Sequence, residues 1–131
     1  MHWDEFTSEI AKLIKKIGFN ANVVVGITRG GVIPARILCS KMKINEMYCI
    51  NIDKSAQRVI TPIEADLSNK RIILIEDVLE SATNMTVARK YLEGKGAEVK
   101  TAALYYLENS KELPDYFLSE AKKVPSFPWE R

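Results

Sequence analysis

The stretch Arg71–Arg89, RIILIEDVLESATNMTVAR, decides the fold. It contains four consecutive apolar residues, Ile72–Ile75, and such a run without alternation is typical of a strand buried on both faces of a parallel sheet. Glu76 and Asp77 follow at once. We therefore expect the strand to end at Ile75, with the acidic pair outside the core at its carboxyl edge, where open α/β sheets bind ligands.

A polar turn and a helix come after the acidic pair. Glu80 is a third acid, and three of the four residues in Ser81–Asn84 carry hydroxyl or amide side chains. Apolar residues at helical spacing then predict a helix, beginning with Met85, Ala88 and Leu92. Backbone N–H groups at a helix N-terminus bind anions. The segment thus places carboxylates that suit hydroxyl groups or a cation beside a candidate phosphate site.

A second turn of the same kind occurs earlier in the chain. Asn22–Ile27 predicts the first buried strand, Thr28-Arg29-Gly30-Gly31 follows it, and Pro34–Met42 predicts a helix. The glycines permit a close backbone approach to a ligand, and Arg29 offers a guanidinium fork for phosphate. In an ordinary turn between a strand and a helix, the glycines would serve geometry only. Two anion-suited turns at the ends of parallel strands favour binding.

Together these features resemble the binding motif for phosphoribosyl diphosphate (PRPP) of the type I phosphoribosyltransferases. The resemblance implies that Glu76 and Asp77 hold the ribose hydroxyls and a Mg²⁺ ion, Asp77 through water. It also implies a 5′-phosphate loop that consists of Glu80, Ser81, Ala82, Thr83 and Asn84. The implied pyrophosphate loop consists of Thr28, Arg29, Gly30 and Gly31. Asp77 and Glu80 are the implied catalytic residues.

Three positions depart from that family motif, and two other classes of protein also have acidic residues at a strand end. Glu80, Ala82 and Asn84 stand where the family usually has Asp, Gly and Thr. A Walker B strand would need a phosphate loop with Lys, which Gly26–Gly31 lacks. A receiver-type domain carries its acidic pair after the first strand, whereas here it follows the third. The order of elements disfavours both alternatives.

The C-terminal part resembles the hood over the base pocket of xanthine-guanine type enzymes. The matching segments are Pro114–Phe117 and Val124–Arg131. The family's Lys for the purine oxygen is missing, and Val124 replaces a stacking aromatic residue. The resemblance gives four candidate base-pocket residues, with Lys111 as a possible substitute for the missing Lys: Tyr105, Tyr106, Val124 and Trp129.

The remaining elements complete an α/β pattern. Trp3–Ile17 predicts an amphipathic helix, and Met47–Ile52 and Glu98–Leu107 predict two further strands. Residues 53–66 have no stable period and predict a mobile loop over the site, although Arg58–Ile60 suggests a short ribbon. When this loop closes, Lys54 and Arg58 would reach a phosphate, although a solvated loop is the simpler interpretation of either charge.

Composition limits the classes of function. The chain has 131 residues, 47% hydrophobic and 27% charged, which suits one globular domain. With 19 basic and 17 acidic residues, the net charge of +2 recruits neither nucleic acid nor an anionic membrane. No apolar run approaches a membrane span, so we expect a cytoplasmic protein. The two cysteines are expected to be free thiols, and the single histidine, His2, argues against histidine-based catalysis or a zinc site.

The sequence therefore predicts one phosphoribosyltransferase-like domain over residues 1–131. Its fold class is α/β and Rossmann-like, with a mostly parallel sheet, helices on both faces, and a small hood from the chain termini, about 1–18 and 107–131. The expected activity is Mg²⁺-dependent transfer of phosphoribosyl from PRPP to a purine base, a 6-oxopurine or a related one. The alternative is a non-catalytic homologue that binds PRPP or a nucleotide. Exposed sheet edges and an apolar hood favour a homodimer or a higher homo-oligomer.

Overall fold

Five parallel strands form the centre of the molecule in residues 1–130, the part of the chain that the computed structural model describes. The strands comprise Val23–Ile27 (β1), Glu46–Ile50 (β2), Arg71–Leu79 (β5), Glu98–Leu107 (β6) and Ser119–Ala121 (β7). Their spatial order is β2-β1-β5-β6-β7, and every neighbouring pair is parallel. The predicted parallel α/β fold is confirmed.

Helices cover both faces of this sheet. Trp3–Lys16 (α1) and Val32–Met42 (α2) pack on one face, and Thr83–Gly94 (α3) packs on the other. Within β5, Ile72 and Leu74 point toward the α3 face, whereas Ile73 and Ile75 point toward the face of α1 and α2. The strand is apolar without alternation because each successive side chain enters one of two separate cores.

Strand β5 is longer than predicted. It continues from Arg71 through the acidic pair to Leu79, where Val78 and Leu79 pair with Tyr105 and Tyr106 of β6. The prediction of a strand ending at Ile75 was wrong, because the two carboxylates do not mark the end of the strand. They lie inside the ladder, and the apolar residues after them extend it.

The second predicted strand and the loop after it also differ from the expectation. β2 ends at Ile50, and Ile52–Asp53 (β3) pairs with Arg58–Val59 (β4) as a small antiparallel hairpin. The predicted ribbon is therefore present, one residue shorter than expected. Beyond the hairpin, Ile63 is buried and its backbone N–H donates to the Tyr91 hydroxyl. Mobility of residues 53–66 stays a prediction.

An aromatic cluster connects α1 to the C-terminal residues. Phe6 of α1 meets Trp129 edge to face at 4.8 Å, and Phe127 stacks on Trp129 at the same centroid distance. Trp129 lies in a short 3₁₀ helix, Pro128–Glu130. Aromatic pairs of this kind contribute about 0.5–1.5 kcal/mol beyond their buried area. The cluster therefore holds the C-terminal residues over the carboxyl ends of the strands.

Candidate active site

A cavity of about 840 Å³ opens where β1 and β5 end. It brings together residues from both predicted anion turns, the acidic pair, the hairpin and the C-terminal segment. Its lining residues are Arg29, Gly30, Lys54, Glu76, Asp77, Val78, Glu80, Ser81, Ala82, Asn84, Val124, Trp129 and Glu130. Residues more than 100 positions apart in sequence thus share one concave site, the usual form of a small-molecule site.

The two glycines of the first turn are required by close packing. A Cβ atom on Gly30 would overlap the Asp77 carboxylate, and one on Gly31 would overlap the backbone carbonyl of Ile75. The Gly31 N–H donates to the Ile27 carbonyl at 2.8 Å, so the turn itself uses this amide. Gly31 therefore supports the site through the packing of the backbone turn, whereas Gly30 lines the cavity.

Two members of the predicted pyrophosphate loop line the cavity and two do not. Arg29 and Gly30 line it, and the Arg29 side chain is exposed to solvent. The Thr28 N–H donates to the Ile50 carbonyl at 2.8 Å, and Thr28 and Gly31 are absent from the lining. The exposed Arg29 guanidinium and one glycine are thus the parts of this turn that can meet an anion.

The acidic pair is buried more deeply than the sequence suggested. Asp77 is only 8% exposed, and its Oδ1 accepts a hydrogen bond of 2.7 Å from the Val78 N–H. Glu76 is half-buried beside it. The expectation that the pair lies outside the core was wrong for Asp77, because β5 carries this residue into the wall between the two turns.

Burial and crowding of like charges raise the pKa of both carboxyl groups. Burial raises the pKa of Glu76 to about 8, the charges of Asp77 and Glu80 add to the rise, and Lys54 opposes it. Burial likewise raises the pKa of Asp77 to about 6, against the hydrogen bond from Val78. Because Lys54 and the hydrogen bond from Val78 only partly offset burial and crowding, the cavity is suited to bind a cation.

We expect Glu76→Gln to stabilise the free protein. Because the pKa of Glu76 is raised to about 8 by folding, its ionised form opposes folding above that pH. The substitution should raise the free energy of unfolding there by about 1–3 kcal/mol, since solvent in the open cavity screens part of the cost. The gain should vanish as the pH falls toward 4.5, the ordinary pKa of a glutamate.

Urea titrations at several pH values would measure this effect. Glu64 is exposed and does not line this cavity, so Glu64→Gln is the matched control and should change stability little at any pH. A Glu76→Gln variant that is less stable than the parent above pH 8 would contradict the burial argument.

The second turn contains a strained backbone residue and, within residues 1–130, a buried side-chain oxygen without a hydrogen-bond partner. Ala82 precedes α3 with φ of 67°, a left-handed conformation that favours glycine. The Asn84 side-chain oxygen is buried and has no hydrogen-bond partner within residues 1–130. Such a group is costly unless a ligand or water satisfies it. Thr83 is the one residue of the predicted 5′-phosphate loop that does not line this cavity.

Comparison with known proteins identifies the family to which these features belong. A model of the phosphoribosyl transferase domain matches residues 2–130. The chain belongs to this family. Purine phosphoribosyltransferase from Pyrococcus horikoshii Ot3 is 27% identical with a TM-score of 0.90, and the match covers 100% of this chain and 92% of that one.

Two curated relatives in this family differ in the base that their names give. Orotate phosphoribosyltransferase of Sulfurisphaera tokodaii is 25% identical over 120 residues, which cover 88% of this chain and 60% of the relative. Xanthine-guanine phosphoribosyltransferase of Gluconobacter oxydans is 25% identical over 117 residues, 82% of this chain and 67% of the relative. The chain thus spans about two thirds or less of these relatives, which act on a pyrimidine and on purines.

Two of the four residues predicted to form the base pocket line this cavity. Val124 and Trp129 line it. Tyr105 does not, because its hydroxyl donates to Glu9 at 3.0 Å and its ring lies against Phe127 on the α1 side. Tyr106 points to the opposite face of the sheet and packs edge to face on Phe117.

Two lining residues were not recognised from the sequence as part of the site. Val78 was missed because the strand was expected to end before it. Glu130 was missed although it adjoins Trp129 in the segment that resembles the hood, and its charge contributes to the raised pKa of Asp77. Lys111, the suggested substitute for the missing base-binding Lys, lines a different cavity. No cation of residues 1–130 other than Arg29 and Lys54 lines this one.

The donor set fits a Mg²⁺ ion that arrives together with a phosphorylated substrate. Within the described chain, no group of three or more His, Cys, Asp or Glu side chains is arranged to hold a metal ion by itself. Mg²⁺ is commonly bound by one or two carboxylates plus substrate phosphates. Glu76 and Asp77 provide such carboxylates beside the candidate phosphate turns.

The length and hydropathy of the helices determine whether one of them could cross a membrane. In residues 1–130, no helix is both long and apolar enough to span a bilayer.

Proposed function

We propose that the chain is a Mg²⁺-dependent phosphoribosyltransferase of the cytoplasm that transfers the phosphoribosyl group of PRPP to a purine base. The observation that carries this proposal is the convergence of Arg29, the acidic pair and the Ser81–Asn84 turn on one cavity. A ligand with a diphosphate, a ribose and a monophosphate matches these three parts in chemistry. The purine is proposed from the family resemblance and from the names of the Pyrococcus and Gluconobacter proteins.

Each part of the cavity has a separate role in the proposed reaction. Arg29 and the Gly30 backbone bind the diphosphate that leaves, and the turn before α3 binds the 5′-phosphate. Asp77 and Glu76 orient the ribose and would hold Mg²⁺, which supplies positive charge next to the diphosphate. Glu80 holds a proton at the ring nitrogen of the base. No nucleophilic side chain is required, because positioning and electrostatics stabilise the cationic sugar of the transition state.

A non-catalytic homologue that binds PRPP or a nucleotide is the second candidate. The predicted base pocket favours this second candidate, because Tyr105, Tyr106 and Lys111 do not line the cavity and only Val124 and Trp129 do. Loss of a charged hydrogen-bond donor weakens recognition by about 1.5–3 kcal/mol. The retained acidic pair and Arg29 are compatible with either function. Turnover separates the two candidates.

The decisive experiment is a turnover assay with PRPP, Mg²⁺ and a panel of bases. The panel should contain hypoxanthine, guanine, xanthine, adenine and orotate, with release of pyrophosphate as the readout. Base-dependent release of pyrophosphate with a purine supports the enzyme. Calorimetric binding of PRPP without turnover of any base supports the non-catalytic homologue, and no binding of PRPP with Mg²⁺ contradicts both.

We expect Val124→Trp to improve recognition of the base. Val124 is 41% exposed and lines the cavity, which therefore has room for a larger ring. A stacked aromatic pair contributes about 0.5–1.5 kcal/mol, which corresponds to a KM for the base lowered about 2–10-fold. Leu113→Trp, at an exposed apolar position outside this cavity, is the control. An equal gain in both variants would contradict stacking at residue 124.

A further inference from the structure

A second cavity, of about 630 Å³, lies on the outer side of α3. Its walls come from β4 of the hairpin, the first two turns of α3, and the segment that follows β6. Ser81 and Ala82 line both this cavity and the candidate active site. The two cavities therefore share one wall, the turn before α3.

Three cations from separate parts of the chain converge on this second cavity. They are Arg58 of β4, Lys90 of α3 and Lys111 of the segment after β6, and all three are exposed. Glu112 is the single carboxylate of the lining. Among residues 1–130, none of the three cations takes part in a salt bridge. Like charges gathered in a concave surface attract an anion, because the anion relieves their mutual repulsion.

The floor of the second cavity is apolar and is held in place. Val59, Val87 and Tyr91 contribute to it, and the Tyr91 hydroxyl accepts a hydrogen bond of 2.8 Å from the Ile63 backbone. That bond fixes the ring. Thr83 and Thr86 line the cavity next to this floor and provide hydroxyl groups. A ligand that fits has an apolar or aromatic part as well as negative charge.

We propose that the second cavity binds a nucleoside di- or triphosphate. Arg58, Lys90 and Lys111 would bind the phosphates, and Val59, Val87 and Tyr91 would contact the base and ribose. Single surface lysines are ordinarily solvated and bind nothing in particular. Here the cations come from three segments and surround an apolar floor, a combination that a solvated surface does not require.

Occupation of the second cavity should also change binding in the first. Ser81 and Ala82 belong to both, and the hairpin carries Arg58 into one cavity and Lys54 into the other. A ligand that fixes the shared turn and the hairpin alters the site on their other side, and linkage makes the effect reciprocal. This coupling rests on the proposed function, whereas the binding itself does not.

Calorimetric titration of the full chain with ATP and with ADP, without PRPP, tests the binding. We expect both to bind, and the Lys90→Ala/Lys111→Ala double variant to bind about 10-fold more weakly or worse, because two charge-assisted contacts are lost. Lys15→Ala/Lys41→Ala removes the same charge from exposed positions that line neither cavity and should bind as the parent does. Arg29→Ala, in the first cavity, should also leave ATP binding unchanged.

Other outcomes would overturn the proposal. Absence of ATP and ADP binding at millimolar concentrations would remove the site. ATP binding lost in Arg29→Ala but retained in the double lysine variant would place the nucleotide in the first cavity. Inorganic tripolyphosphate binding as tightly as ATP would remove the role of the apolar floor. Finally, PRPP affinity that does not change with saturating ATP would overturn the coupling, while leaving the site and the proposed function in place.

Discussion

Asp77→Asn is expected to reduce the affinity for PRPP in the presence of Mg²⁺ about 100-fold or more, while the domain remains folded. Asn keeps the size of the side chain and an oxygen that can accept the hydrogen bond from the Val78 N–H, now 2.7 Å long. It removes the negative charge. In the proposed complex, the Asp77 carboxylate pairs with Mg²⁺. Loss of one partner from a buried pair of opposite charges costs about 2–5 kcal/mol, most of it because the other charge is left unpaired.

Titration calorimetry with Mg²⁺ and with a chelator would measure this effect. The parent should bind PRPP much more weakly in chelator, whereas Asp77→Asn should be nearly insensitive to it. Asp4→Asn, at an exposed position on α1, removes the same charge far from the cavity and is the control. Equal affinity of the parent in both conditions would remove the acidic pair from its proposed role.

Asp77→Ala is a poorer test of the same residue. An alanine leaves the Val78 N–H without its acceptor inside the wall of the cavity, and an unsatisfied buried donor costs about 1–3 kcal/mol. The lost volume beside Gly30 adds to that cost. A weakened Ala variant would therefore combine loss of charge with loss of stability, and the Asn variant separates them.

The fold followed from the sequence because its main signals are local. The apolar runs of β1 and β5 have no alternation, since both faces of each strand are buried. The glycines of the first turn marked a close approach, and the structure shows that the approach is between chain segments: Gly31 against Ile75 and Gly30 against Asp77. Spacing alone could not distinguish a glycine that admits a ligand from one that admits a neighbouring strand.

Side-chain direction at the ends of β6 could not be predicted in the same way. Tyr105 and Tyr106 are adjacent, so one must face α1 and the other α3, and neither direction leads into the cavity. The partner of the Tyr105 hydroxyl, Glu9, is 96 positions away. The position of Lys111 likewise depends on the path of the loop after β6, for which the sequence carries no periodic signal.

The acidic pair illustrates a conflict between stability and binding. Glu76 and Asp77 are crowded with Glu80 and Glu130 around a cavity in which only two cations of the described chain take part. Sites that bind charged ligands commonly store unfavourable interactions of this kind. Substitutions that relieve the crowding should therefore stabilise the free protein and weaken binding of PRPP with Mg²⁺, as expected for Glu76→Gln.

Glu80→Gln is expected to reduce turnover about 10²–10⁴-fold and to leave PRPP affinity nearly unchanged, as when a general acid–base group is removed. Glu80 follows the last residue of β5, is exposed, and lines the cavity between the acidic pair and the turn before α3. Steady-state kinetics together with calorimetry separate the two quantities. A Gln variant as active as the parent would leave Glu80 with only a favourable charge near the N-terminus of α3.

Rescue of a Glu80→Asp variant by a second substitution, Ala82→Gly, gives the sharper test. Glu80→Asp shortens the side chain by one methylene and should impair turnover. Adding Ala82→Gly should restore turnover, because removal of the methyl group lets the 5′-phosphate bind closer to the turn and so brings the base within reach of the shorter carboxylate. Ala82→Gly alone should change stability little. It relieves a left-handed residue with φ of 67°, worth about 1–2 kcal/mol, but removes a buried methyl group worth about 0.8 kcal/mol and adds freedom to the unfolded chain. Turnover restored in Glu80→Asp/Ala82→Gly at unchanged stability would show that the reach of the carboxylate, and not folding, limits the Glu80→Asp variant. Failure to restore turnover would contradict the proposed dependence of residue 80 on the size of residue 82.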